Sequence, residues 1–193
     1  MENWINVAPI LVITAACFFM MLTDDWKKNM ISNGIVFLSA FLILIQFWSF
    51  SFSIVKLITG LMSLAILGIS INRNDSIQNI KSRSEKIFRT GALTLIYLII
   101  IFISTRVANY LSIPLELNIS ALFILGFGII QLGMSQRLYK VFLAILLMFF
   151  GFELIYSANE ASLLVNGLLA LVMMLVSLVG GYILVSEYES REE

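Results

Sequence analysis

The 193-residue chain has no histidine, one cysteine and two prolines, and only 12% of its residues are charged. Without histidine it lacks the side chain that most often ligates transition metals and haem and most often acts as a general base near neutral pH. The lone Cys17 permits no internal disulfide and no cysteine-ligated zinc or iron–sulfur cluster, and it reads as a small helix-packing residue. No metal and no cofactor are therefore expected. Twelve Lys and Arg balance twelve Asp and Glu, giving a formal net charge of zero. No basic footprint marks the chain, so nucleic acid is not an expected partner.

Apolar side chains are abundant instead. Hydrophobic residues make up 60% of the sequence and its mean hydropathy is +0.99, whereas a soluble domain is about 45–50% apolar and 25% charged. The expected solvent is a lipid bilayer. A spanning helix needs about 20 apolar residues, and seven runs of roughly that length lie between short polar breaks: 7–23, 33–50, 54–71, 91–110, 118–134, 138–157 and 162–186. They lack the strict alternation of a lipid-facing barrel strand, so the pattern predicts helices, which satisfy their own backbone polar groups. The expected fold is an all-α membrane bundle of about seven transmembrane helices. The first run resembles a secretory signal in length, but "MENWIN" carries no Lys or Arg and "MMLTDDWKK" offers no small-residue cleavage site, so it is expected to be retained.

Basic loops are held on the cytoplasmic side of a membrane. With the N-terminus outside and the C-terminus inside, ten of the twelve basic residues fall on the inner side: Lys27, Lys28, Arg73, Lys81, Arg83, Lys86, Arg89, Arg137, Lys140 and Arg191. Only Lys56 and Arg106 fall outside. The chain divides into three helices over 1–72, a basic cytoplasmic connector over 73–90 with an amphipathic turn around Ile77, Ile80 and Ile87, four helices over 91–186, and an acidic tail over 187–193, expected to lie outside regular structure. Each set of three helices has a basic inner turn after its first member, "DDWKK" in one and "SQRLYK" in the other. Two parallel three-helix repeats joined by a linking helix would account for this.

Charge inside an apolar run is costly and usually faces the bundle interior. In "LLMFFGFELIYSAN" that charge is Glu153, four residues before Ser157. Its own helical face is apolar, so it reads either as an interfacial or hydrogen-bonded structural residue or as part of an ion pathway, which would need Gln131, Asn166 or Lys56 from other helices. Lys56 opens the third helix, where its stem is expected to snorkel toward the interface; the rarer reading is a buried counter-charge. Gly126 and Gly133, with Gly180 and Gly181, are expected to let helices approach closely.

Residues 122–176, with the basic turn "SQR" followed on the next helix by "GFELIYSAN", resemble the small membrane subunits of complex I (subunit K) and of the related hydrogenase-4 complexes (component E). The resemblance implies a three-helix unit with its N-terminus outside, a place among other membrane subunits of a proton-translocating oxidoreductase complex, and a role for Glu153 as the membrane-embedded relay carboxylate. Where such subunits carry a second embedded glutamate on the following helix, this chain has Asn166.

A different class of function is an intramembrane aspartyl protease. In "DDWKKNMISN", Asp25, Ile31 and Asn33 are spaced similarly to the first catalytic region of prepilin peptidases, and Asp75 sits roughly where the second aspartate would be. Two carboxylates sharing a proton would supply acid and base. The context "INRNDSIQN" has no glycine turn, however, and Asp24 and Asp25 beside Lys27 and Lys28 read as a solvated turn. A small-molecule transporter component is a third class, although interrupted helices and midplane polar clusters are not evident and neither Pro9 nor Pro114 lies in mid-membrane. The sequence reading is thus a multi-pass subunit of the inner (cytoplasmic) membrane, not catalytic by itself, working with the lipid bilayer and other membrane subunits in proton or cation translocation.

Overall fold

The computed structural model describes residues 2–71, 83–160 and 162–192, and these form seven α-helices. They are α1 (Glu2–Leu22), α2 (Trp26–Phe47), α3 (Phe50–Ser70), α4 (Arg83–Leu111), α5 (Leu115–Met134), α6 (Leu138–Asn159) and α7 (Leu163–Glu192). Six of them are long and apolar enough to cross a membrane, and α1 carries a shorter apolar stretch, Val7–Leu22. The protein is a multi-pass, all-helical membrane bundle. Side chains such as Ile69, Phe102 and Leu163 stand open on its outside, as lipid requires of an exterior with no water to avoid.

The helix boundaries have local causes. The Asp25 carboxylate accepts a hydrogen bond from the Lys27 backbone N–H and caps α2. Extended backbone at Trp48 and Ser49 separates α2 from α3. Ser112 adopts a left-handed φ of 55°, uncommon for a residue with a Cβ, and turns the chain before Pro114, the N-cap of α5. Three boundaries differ most from the sequence expectation, the starts of α2 and α4 and the end of α7. The second helix begins at Trp26 rather than near residue 33, because Asp25 starts it and the polar run Asn29, Ser32 and Asn33 is buried within it. The acidic tail, expected outside regular structure, continues α7 as far as Glu192. In the connector, α4 starts at Arg83 and includes Ile87, while Ile77 and Ile80 lie outside the described residues.

Packing sets α1, α2 and α3 in one layer and α5, α6 and α7 in another, with α1 against α5, α2 against α6 and α3 against α7; α4 covers α1 and α5 at one edge. A two-fold axis along the bundle would instead oppose α1 to α7 and α3 to α5. The triplets therefore stack in parallel order, and a rotational repeat does not describe them. The tightest seam is between α5 and α6. A Cβ on Gly151 would lie 2.6 Å from the Leu125 backbone nitrogen, and one on Gly128 would lie 2.7 Å from that of Met148. Gly126 meets only the side chains of Ile96 and Ile100, and Gly133 has nothing within 4 Å. The glycines that allow close approach here are thus Gly128 and Gly151, not the expected pair. At the other seam Gly180 and Gly181 do face neighbours, Phe142 and Ser70. Where the layers meet, the rings of Phe37 and Phe150 contact edge to face with centroids 4.7 Å apart.

Cross-helix hydrogen bonds fix the alternation of direction. At the end where α1 begins, called here the near end, Lys56 early in α3 meets Glu153 late in α6, and Asn118 early in α5 donates to the carbonyl of Ser104 late in α4. At the far end, Lys140 early in α6 meets Asp24 after α1, and Arg89 early in α4 donates to the carbonyl of Met134 at the end of α5.

Candidate functional site

Near the near end three helices converge on one polar group. Lys56 is the seventh residue of α3, and Glu153 lies six residues before the end of α6. At 1.5 Å per residue each is about 9 Å inside its helix end. Lys56 Nζ donates to Glu153 Oε1 at 2.6 Å, and the two side chains are only 3% and 2% exposed. The same ammonium donates to Asn166 Oδ1 at 3.2 Å and lies 5.2 Å from the centre of the Phe52 ring, within cation–π range. Asn166 is held in turn: Ser157 Oγ donates to its Oδ1, and its Nδ2 donates to the carbonyls of Ser162 and Glu160 at 2.9 and 3.2 Å. The charged pair is therefore bonded on the lysine side by two acceptors and an aromatic face. On the glutamate side, Lys56 is the hydrogen-bond donor that the structure shows.

Lys56 departs from the snorkelling expectation. Its stem does not snorkel outward; the amine is buried, because Glu153 and Asn166 provide inside the bundle the partners that the interface would otherwise supply. An ion pair in a dry interior has a high desolvation cost that only such geometry offsets. Chemically, the arrangement is a proton donor and a proton acceptor in direct contact, and transfer along the 2.6 Å bond would neutralise both members.

Of the four residues named from sequence as a candidate pathway, the structure brings Glu153, Lys56 and Asn166 together. Gln131 is elsewhere. It lies late in α5 at the far end, where its Nε2 donates to the carbonyl of Lys140 at 3.4 Å. That end has its own polar knot. Lys140 Nζ donates to Asp24 Oδ1 at 2.5 Å and to the carbonyl of Thr23 at 3.0 Å; Tyr139 donates to the carbonyl of Asp24 at 2.7 Å, and Asn29 to that of Thr23 at 3.2 Å. The turns "DDWKK" and "SQRLYK" are thus joined by an ion pair that sequence reasoning missed. Asp24 is part of this knot rather than of a solvated turn. The signal was present: Lys140 is a cation inside an apolar run, as Glu153 is an anion.

The aspartyl pair is not assembled by anything described. Asp25 serves as the N-cap of α2 and lies 3.8 Å from Lys28, and Asp75 lies outside the described residues. Among the described residues no group of three or more His, Cys, Asp or Glu side chains could hold a metal ion. Comparison of the chain with protein-family models, with curated proteins and with solved structures returned no match.

Proposed function

We propose that the chain is a non-catalytic integral membrane subunit that takes part in proton or cation translocation, with Glu153 and Lys56 as its titrating pair. The observation that carries this reading is the buried contact between a carboxylate and an amine across α3 and α6. Replacing such a pair by apolar side chains of similar volume is often neutral or stabilising in folded proteins, so its presence in lipid calls for a use beyond holding helices together. The resemblance of "GFELIYSAN" to the complex I subunit K and hydrogenase-4 component E families supports the same reading, and it is the ground for proposing partner subunits in an inner (cytoplasmic) membrane complex.

The test is Glu153→Gln in the assembly purified with its partners and reconstituted into vesicles. Glutamine keeps the shape and an acceptor for Lys56 but cannot titrate. Proton uptake is expected to fall at least about tenfold, which corresponds to about 1.4 kcal/mol in the barrier, while the amount of assembled complex changes little. Undiminished uptake would remove Glu153 from the path.

Orientation belongs to the same proposal. The far end carries Lys27, Lys28, Lys86, Arg89, Arg137 and Lys140, and the positive-inside rule then sets the far end in the cytoplasm and the N-terminus outside. In a Cys17→Ala background, a cysteine replacing exposed Lys28 is expected to react with an impermeant reagent only from the cytoplasmic side. One replacing exposed Glu160 is expected to react only from outside. The reverse pattern would invert the bundle.

A further inference from the structure

Inward of the ion pair, α2 and α3 carry a second polar group that the proposed pair does not use. Asn33 and Ser63 are both completely buried. Among the described residues, Asn33 Nδ2, Asn33 Oδ1 and Ser63 Oγ have no hydrogen-bond partner. The register puts them at one level. Gly60 faces the Phe37 ring and Gly34 faces Leu64; Asn33 precedes Phe37 by one turn of α2, and Ser63 follows Gly60 by one turn of α3. Both therefore lie on the far-end side of the Phe37–Phe150 contact, about 10 Å along the axis from the start of α2.

An open amide and an open hydroxyl in an apolar interior require a partner. The chemistry of the set selects it. A cation would satisfy Asn33 Oδ1 and Ser63 Oγ but leave the Nδ2 donor facing positive charge, and the carboxylates of Glu153 and Asp24 are already engaged by Lys56 and Lys140. Water both donates and accepts, and small polar buried sites hold it through about three hydrogen bonds. One turn nearer the far end on the same face of α2, Asn29 Oδ1 is also open, as is Gln131 Oε1 late in α5. These two acceptors continue the series toward the Lys140–Asp24 knot.

We propose that Asn33 and Ser63 bind internal water on the far-end side of the Phe37–Phe150 contact. Radiolytic hydroxyl labelling of the protein in bicelles tests it, because radicals formed from bound water oxidise adjacent side chains even when these are buried. Phe37 is expected to be modified at least tenfold faster than fully buried Leu67 after correction for intrinsic reactivity. Asn33→Leu combined with Ser63→Ala is expected to remove that excess, and Ser63→Ala alone to reduce it, which covers failure of the double variant to fold. Equal rates at Phe37 and Leu67 would overturn the site. Labelling that depends on whether sodium, lithium or choline is the only cation present would overturn water in favour of a cation. Glu153→Gln is expected to leave the labelling of Phe37 intact, so a failure of the translocation reading shows as undiminished proton uptake in Glu153→Gln with the labelled water site still present.

Discussion

Lys56→Met is expected to lower folded-state stability by about 3–5 kcal/mol, the loss seen when one member of a buried ion pair is removed and the other is left behind. The magnitude follows from the asymmetry of the site. Glu153 is 2% exposed and its donor is Lys56, so methionine fills the lysine volume yet strands a carboxyl group in the junction of α3, α6 and α7. That group must then take up a proton or remain charged without a partner, and either state costs free energy. Glu153→Gln should be milder, because Lys56 keeps Asn166 Oδ1, the Phe52 face and an amide oxygen as partners. Denaturant titration in mixed micelles should rank the variants with Lys56→Met well below Glu153→Gln. Equal losses would mean that the pair is not compensated as the structure shows it.

Gly151→Ala should be the second large effect, with opposite signs at two glycines of the α5–α6 hairpin. Alanine is favoured over glycine in a helix by about 1 kcal/mol, so a residue with free space around it gains from the change. Gly133, with nothing within 4 Å, should be neutral or slightly stabilised by alanine. At Gly151 the new methyl would meet the backbone of α5, 2.6 Å from the Leu125 nitrogen and 2.8 Å from the Ala121 carbonyl oxygen. Backbone cannot swing aside as a side chain can, so the helices must separate. Overpacking of this kind costs about 1–3 kcal/mol, and separating α5 from α6 also loosens the frame that holds Glu153. Gly128→Ala, 2.7 Å from the Met148 nitrogen, should behave in the same way. The melting temperatures of the three variants in bicelles check the ordering; a Gly151→Ala protein as stable as the parent would show that the seam is looser than described.

Much of the fold was legible in the sequence because lipid imposes a simple code: long apolar runs become helices and polar breaks become turns. The same code explains the errors. Asn29 and Ser32 read as part of a polar break, but their place in a helix was fixed by the Asp25 cap and their burial by neighbours far along the chain, neither of which hydropathy registers. Lys56 read first as a snorkelling residue because its position at a helix start was visible, while the register that brings it to Glu153, 97 residues away, was not. Gly128 and Gly151 differ from Gly126 and Gly133 only in which side of the helix meets a neighbouring backbone, a matter of rotation that no composition conveys. Glu153 and Asn166 were singled out for their polarity within apolar runs, and the structure adds what that polarity serves, a shared contact with one ammonium group.

Direct coupling between Lys56 and Glu153 underlies the site, and a double-mutant cycle measures it. Stabilities of the parent, Lys56→Met, Glu153→Gln and the combined variant, determined in the same lipid bicelles, give the interaction energy as the departure from additivity. With the pair in contact at 2.6 Å and out of solvent, the combined variant is expected to recover most of the loss caused by Lys56→Met, because no charge is left buried alone. The coupling should be about 2 kcal/mol or more, toward the upper part of the range for residues in contact. Losses that simply add, with the combined variant the least stable of the four, would contradict the buried pair and with it the function proposed for Glu153.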